Sequence, residues 1–241
     1  MSNNVPSRLA GHGEHSITEK SVPYLLLGMT AVTGLVDAVS FLSLGRVFTA
    51  NMTGNVVILA FATARVPGLS ITYSLTALLS FLVGAIFGGR IMARAGADSQ
   101  IRFAAQAFVL EVVFLSVASF CSIGYRSDLL GHSFQPFALI ALTALAMGTR
   151  NAAVRKLAIP DLTTTVLTLT ITGIGADSSI ANGNNPRLAR RVQSVVAMFL
   201  GAALGAVIIR YSISAALWLA TAISASCSAA LFRALRTPDE L

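Results

Sequence analysis

The chain has 241 residues, of which 55% are hydrophobic and 11% are charged, and its mean hydropathy is +0.75. Soluble domains carry about 25% charged residues, so this composition excludes a disordered chain, a nucleic-acid-binding module and an ordinary cytosolic enzyme. The formal net charge of +7 comes from short clusters of Lys and Arg between apolar runs, as at membrane surfaces. We therefore predict an all-α integral membrane protein.

Six long apolar runs follow a polar amino-terminal segment. Residues 1–20 predict a disordered cytoplasmic tail, 21–236 a single transmembrane domain, and 237–241 a second short cytoplasmic tail. Each run is long enough to cross about 30 Å of hydrocarbon at 1.5 Å per residue. The predicted spans are roughly 22–44, 69–92, 102–124, 134–156, 191–210 and 213–233.

Two shorter segments, roughly 46–64 and 160–178, begin polar and end apolar. The first contains FTANMTGN (48–55), and the second contains DLTTTVLTLTIT (161–172). If neither segment crosses, 13 of the Lys and Arg residues lie inside and 4 outside; if both cross, the division is 9 and 8. The positive-inside rule favours the first arrangement, which has two re-entrant hairpins and both termini in the cytoplasm. A broken or tilted short span is the alternative.

The two halves of the chain contain similar sequence motifs in the same order. GLVDA (34–38) returns as GTRNA (148–152), and FLVGAIFG (81–88) resembles FLGAALG (199–205) in matching order. Chance similarity between apolar helices is the alternative explanation. If the repeat is real, its units are about 22–124 and 134–233. Each unit then has three spans, so the second is inverted, as in many secondary transporters.

Two carboxylates are predicted to lie within the hydrocarbon. Asp37 falls well inside the first span and Glu111 near the middle of the third. An ionised carboxylate at this depth is costly, so each is expected to face the bundle interior with a partner or to be protonated. The functional interpretation is a proton or cation site. The structural interpretation is a carboxylate that caps a hairpin or pairs with Arg150.

The first hairpin offers the polar side chains Asn51, Thr53 and Asn55 around Gly54, which permits unusual backbone geometry. These groups are candidates for binding a solute or ion at membrane depth. They are also the residues that satisfy broken backbone in a tight turn. Both interpretations are open at this point.

The second hairpin is rich in threonine. Pro160 ends the preceding helix and Asp161 can cap the next. The hydroxyls predict either a polar path or ordinary helix contacts within the membrane. The candidate residues are Thr163, Thr164, Thr165 and Thr168.

Arg150 and Asn151 lie near the end of the fourth predicted span. Arg150 either extends to the headgroups or acts as an internal counter-charge for Asp37 or an anionic substrate. Asn151 is a further candidate for the solute site.

No metal or cofactor site is predicted. Cys121 and Cys227 lie in apolar runs without CxxC spacing, and the histidines form no ligand set. No nucleophile elbow, Walker A loop, HExxH motif or dinucleotide-binding loop is present in the sequence, so we do not expect an enzyme.

Residues 34–55 (GLVDAVSFLSLGRVFTANMTGN) and 150–173 (RNAAVRKLAIPDLTTTVLTLTITG) resemble the bacterial YoaK-like family of uncharacterised membrane proteins. The resemblance covers nearly the whole chain after residue 20. It implies a small, multi-spanning inner-membrane protein of a family sometimes described as predicted permeases. It implies no substrate.

These observations predict a secondary transporter or permease of a small polar or ionic solute, coupled to protons or cations through Asp37 or Glu111. The alternatives are a passive channel and a non-transporting scaffold or intramembrane enzyme. The predicted partners are the lipid bilayer and an unknown solute, with no nucleic acid. A homo-oligomer is also compatible with the small-residue pairs Gly84/Gly88 and Gly201/Gly205.

Overall fold

The computed structural model describes residues 15–96, 99–125, 133–157 and 167–236. Within these ranges the chain forms eight α-helices, one 3-10 turn at Ser179–Ala181, and no strand. The helices are α1 (His15–Ser43), α2 (Met52–Thr63), α3 (Ile71–Ala93), α4 (Gln100–Cys121), α5 (Gln135–Leu157), α6 (Leu167–Ala176), α7 (Leu188–Ile209) and α8 (Ile213–Arg236).

The six predicted spans are confirmed as long apolar helices. α1 contributes its segment Val22–Ser43 and α8 contributes Ile213–Leu235, while α3, α4, α5 and α7 span over their whole lengths. α1 begins at His15, earlier than the predicted end of the polar tail at residue 20. The stretch 15–20 contains no Gly or Pro, so nothing in it stops the helix, whereas Gly11 and Gly13 precede it. The predicted tail at 237–241 lies outside the described residues.

The two short segments form short helices. α2 has 12 residues and α6 has 10. At 1.5 Å per residue these helices are about 18 Å and 15 Å long, roughly half the thickness of the hydrocarbon. As far as the described residues go, neither helix is long enough to cross a membrane alone.

Close backbone contacts show that α1 runs parallel to α7. A Cβ atom added at Gly201 would meet the backbone of Ala31, and one added at Gly205 would meet Leu35 four residues further along α1. The same arrangement joins α3 to α5, where Gly84 faces Leu145 and Gly88 faces Thr149. Each of these crossings therefore depends on a glycine that lets two backbones approach closely.

The remaining contacts between long helices are antiparallel. The hydroxyls of Ser119 in α4 and Thr221 in α8 lie 3.1 Å apart, and further along α4 the Ser122 hydroxyl lies 3.0 Å from that of Ser214. At the end of α4, the Gln135 side chain of α5 donates to the Cys121 carbonyl at 2.7 Å. α8 also packs against α1, with the Ser224 hydroxyl 3.6 Å from the sulfur of Met29.

Together these contacts give α1 and α3 opposite directions, and likewise α5 and α7. The short helix between each pair therefore adds no net crossing. Corresponding helices of the two halves, such as α1 and α5, also run in opposite directions. The inverted repeat stays a prediction, and the matched glycine contacts of Gly34 with α7 and of Gly148 with α3 support it.

Burial separates a central layer from an outer one. In the most apolar 18-residue segment of each helix, the buried share is 61% for α1 and for α5. The corresponding share is 28% for α3 and 17% for α7. Large apolar side chains of the outer helices, such as Leu79, Leu82 and Phe199, are exposed. In a bilayer these exposed apolar side chains of the outer helices contact lipid, whereas α1 and α5 form the interior of the protein.

The neighbouring glycines of α3 provide a test of the α3–α5 crossing. A Cβ at Gly88 would collide with the carbonyl of Thr149, whereas one at Gly89 would meet nothing within 4 Å. We expect Gly88→Ala to destabilise the protein by about 1–3 kcal/mol through overpacking. Gly89→Ala should be neutral or stabilising by up to about 1 kcal/mol, because alanine favours the helix. Thermal unfolding in detergent measures both, and equal Tm values for the two variants would contradict the crossing.

Candidate functional site

Asp37 of α1 holds the loop that enters α2. Its Oδ1 accepts hydrogen bonds from the backbone N–H groups of Thr49 at 2.9 Å and Ala50 at 2.8 Å. These amides come just before the amino end of α2, where backbone N–H groups lack helical partners and the helix dipole favours negative charge. The carboxylate therefore stabilises irregular backbone that would otherwise be unpaired.

Asn55 fixes the same loop from the other side. Its Oδ1 accepts the N–H of Phe48 at 2.8 Å, and its Nδ2 donates to the Phe48 carbonyl. The ring of Phe48 stacks on Phe41 of α1, with centroids 4.9 Å apart. Asn55 is fully buried and both ends of its amide bind this backbone, so the turn-stabilising interpretation describes its role.

The second carboxylate oxygen of Asp37, Oδ2, is in different surroundings from Oδ1. Asp37 is 5% exposed, and its Oδ2 makes no hydrogen bond with any described residue. Asp37 also lines a cavity of about 200 Å³ between α1, the first hairpin and α7. The cavity is lined by Gly34, Asp37, Ala38, Phe41, Leu42, Phe48, Asn51, Met198 and Ala202.

The polar residues of the first hairpin thus divide into three roles. Asn51 lines the cavity and precedes α2 without capping it through its side chain. Asn55 is buried against Phe48, and Thr53 is exposed on the opposite side of the helix. Of the three predicted candidates in this hairpin, Asn51 alone lies beside Asp37 in the cavity.

Glu111 and Arg150 form an ion pair inside the bundle. The Arg150 Nη1 lies 2.9 Å from Glu111 Oε1, and both side chains are completely buried. Arg150 Nη2 also donates to the Thr33 hydroxyl of α1, and it lies 3.0 Å from the sulfur of Met147. This pair joins α4 to α5 and adds a contact with α1. Arg150 therefore does not extend to the headgroups.

Arg150 is committed to Glu111 and makes no ion pair with Asp37. Four charged side chains are buried in the described part of the chain: Asp37, Glu111, Arg150 and Arg191. Glu111 pairs with Arg150, and Arg191 pairs with the half-exposed Asp177 at 2.8 Å. Among the described residues, Asp37 is left as the buried charge without an ionic partner.

The second hairpin is described only in part. Thr163, Thr164 and Thr165 lie outside the described residues, and Thr168 is exposed on α6. Asn151 is half-buried on α5, at the position that corresponds to Asp37 in the proposed repeat. Of the two described candidates, Thr168 and Asn151, neither lines the cavity beside Asp37.

Arg191 holds the second hairpin against α7, and the sequence did not single it out. Its Nη1 donates to the Gly173 carbonyl at 2.5 Å, and a Cβ at Gly173 would collide with the guanidinium. In the sequence Arg191 is one of three arginines at the start of a span, at 187, 190 and 191. Nothing in that pattern distinguishes the buried member from its neighbours.

Phe41, Met198 and Ala202 were also absent from the predicted site, although they line the cavity. They resemble the other apolar residues of their helices. The one sequence signal for this region is the pair of motifs GLVDA and FLGAALG. Phe41 follows the first motif, Met198 directly precedes the second, and Ala202 lies within the second.

Six membrane-length apolar helices around a buried ion pair define a multi-pass α-helical membrane protein. The family model described as "Protein of unknown function (DUF1275)" matches residues 25–230, and the chain belongs to this family.

A similar protein is the "UPF0700 transmembrane protein YoaK" of Bacillus subtilis (strain 168). The two are 37% identical over 154 residues, which cover 64% of this chain and 65% of that relative, just under two thirds of its length. The YoaK-like resemblance of the two sequence motifs is thereby confirmed. No solved structure matches the chain.

The Glu111–Arg150 pair is testable by a double-mutant cycle. Removing one partner leaves a buried charge unpaired, so we expect Glu111→Leu or Arg150→Met each to cost about 3 kcal/mol or more. The double variant should recover most of this loss, because no uncompensated charge remains. Arg155→Met, at an exposed position of the same helix, is the matched control and should change stability little. Thermal unfolding of the four variants in detergent gives the coupling, and additive losses would show that the pair does not form.

Proposed function

We propose that the protein is a secondary transporter, or permease, for a small polar or ionic solute in the bacterial inner membrane. The observation that carries this proposal is the second oxygen of Asp37. It is buried, makes no hydrogen bond within the described part of the chain, and belongs to a residue that lines a cavity. A carboxylate kept in this state at membrane depth costs free energy, which a bound proton, cation or polar solute offsets.

Two features of the cavity walls support a mechanism of alternating access. One wall, the first hairpin, is attached through a few polar contacts at Asp37 and Asn55. The other wall belongs to α7, whose close contact with α1 passes through Gly34. In secondary transporters, discontinuous helices of this kind bind solute near the midplane, and their movement opens one side at a time.

Asp37 is the coupling residue in this proposal. When Oδ2 gains a proton or a cation, the carboxylate binds the hairpin amides less strongly, because its charge is neutralised. Solute occupancy and hairpin position are then linked through one side chain. Glu111 takes a different role: with Arg150 it fixes the relative positions of α4 and α5, so we assign it to positioning.

The proposed orientation places both termini in the cytoplasm. The helix directions put Arg65, after α2, and Arg94, after α3, on opposite sides. The side with Arg94 also holds the basic ends of α5 and α8, and the positive-inside rule assigns that side to the cytoplasm.

Cysteine labelling tests the orientation. In a background with Cys121→Ser and Cys227→Ser, Arg65→Cys should react with a membrane-impermeant maleimide in intact spheroplasts. Arg94→Cys should react only after the membrane is permeabilised. Both native positions are exposed, so their accessibility depends on the side of the membrane. Labelling of Arg94→Cys in intact spheroplasts would overturn the orientation.

Solute-induced currents test transport itself. Proteoliposomes on a solid-supported membrane are exposed to amines, organic acids, amino acids and sugars in turn. We expect a saturable current for at least one class, and Asp37→Asn should weaken the apparent affinity about tenfold or more, since hydrogen bonds to charged groups contribute 1.5–3 kcal/mol or so.

Ala203→Leu is the control, because Ala203 is exposed on α7 and does not line the cavity. Linear, unsaturable flux would favour a passive channel instead. No flux with any class from correctly folded protein would favour a non-transporting scaffold. A current that Asp37→Asn leaves unchanged would remove Asp37 from the mechanism.

A further inference from the structure

We propose that the cavity beside Asp37 binds a small monovalent organic cation, an amine or ammonium group that carries an apolar body. This inference rests on the proposed function, because it names the solute class for the same site. It depends on three features of the cavity: its negative charge, its aromatic wall and its scarcity of oxygen ligands.

The charge of the cavity is negative. Asp37 contributes a carboxylate whose Oδ2 is unpartnered, and no other residue that lines the cavity is charged. The buried cation Arg150 is already bound to Glu111 and Thr33. A positively charged ligand group is therefore the partner that would offset the charge of Asp37 and neutralise the site.

An anionic ligand is disfavoured although the amino end of α2 is close by. The N–H groups of Thr49 and Ala50, which would otherwise attract an anion, already bind Asp37 Oδ1. A second negative charge would lie beside the carboxylate in an environment of low dielectric constant, where like-charge repulsion is strong.

The aromatic wall favours a cation with an organic body. Phe41 and Phe48 both line the cavity and stack with an interplanar angle of 18°. A cationic group within about 6 Å of a ring centroid gains about 0.5–2 kcal/mol, the larger values in desolvated sites. The remaining lining residues, including Leu42, Met198 and Ala202, provide an apolar surface for methyl or methylene groups.

A bare metal ion fits this lining poorly. Hard cations such as Ca²⁺ require six to eight or so oxygen ligands, and Mg²⁺ requires near-octahedral geometry. The side chains that line the cavity supply the Asp37 carboxylate and the Asn51 amide. Among the described residues, no group of three or more His, Cys, Asp or Glu side chains is placed to hold a metal ion.

Equilibrium binding of radiolabelled tetramethylammonium to the purified full-length protein tests the inference. We expect saturable binding that sodium at the same ionic strength does not displace and that acetate does not affect. Asp37→Asn should weaken binding about tenfold or more, because the cation loses its attraction to the carboxylate charge, and Phe41→Leu should weaken it about twofold to thirtyfold.

Ala202→Leu separates a binding defect from a folding defect. The larger side chain enters the cavity from α7 and leaves Asp37 and its hydrogen bonds unchanged, so tetramethylammonium binding should be lost. Ala203→Leu makes the same change at the adjacent exposed position and should bind normally. Circular dichroism and thermal unfolding verify that each variant is folded.

The outcomes distinguish this inference from the transport proposal. No binding of tetramethylammonium, or binding equally tight in Ala202→Leu, would overturn the cation site. Binding without a tetramethylammonium current in proteoliposomes would support the cation site and count against transport. An Asp37-dependent current for a neutral or anionic solute, with no tetramethylammonium binding, would support transport and overturn the cation site.

Discussion

Backbone N–H and C=O groups within a bilayer require partners inside the protein, because lipid provides none. This constraint explains why the segment between α1 and α2 is built as it is. Asp37 accepts the amides of Thr49 and Ala50, and Asn55 pairs with both backbone groups of Phe48. The first hairpin lies against α1 through these side-chain contacts, and among the described residues they leave the second carboxylate oxygen of Asp37 buried without a hydrogen bond.

The ion pair between Glu111 and Arg150 meets a related constraint, which is the cost of burying a charge. Each charge alone would be costly in the interior, and together they connect α4 to α5. Arg150 forms its ion pair with Glu111 and not with Asp37. The two buried carboxylates thus have different surroundings: Glu111 pairs with Arg150, and Asp37 binds the hairpin amides and lines the cavity.

Hydropathy and charge distribution predicted the six spans and the two short helices, because length and apolar content alone determine whether a helix can cross. The rotation of each helix could not be predicted in this way. Thr53 and Asn55 are two residues apart, so on a helix of 3.6 residues per turn they point about 160° away from each other. Sequence proximity grouped them, whereas the structure buries Asn55 and exposes Thr53.

The partners of the buried charged residues could not be predicted from the sequence either. Glu111 and Arg150 are 39 positions apart and meet because α4 and α5 pack antiparallel. From the sequence, Arg150 could be either an internal counter-charge or a residue that extends to the headgroups, because its distance from the end of α5 allows both. The contact between α1 and α5 decided the matter by placing Thr33 beside the guanidinium.

The glycine crossings have a mechanical consequence. α1 of the first half is locked to α7 of the second, and α5 of the second half to α3 of the first, in each case where backbones touch. The halves of the sequence are therefore interleaved rather than separate blocks. A large displacement that preserves these crossings would have to move the α1–α7 pair relative to the α3–α5 pair, so each pair that stays together joins a helix of one half of the sequence to a helix of the other.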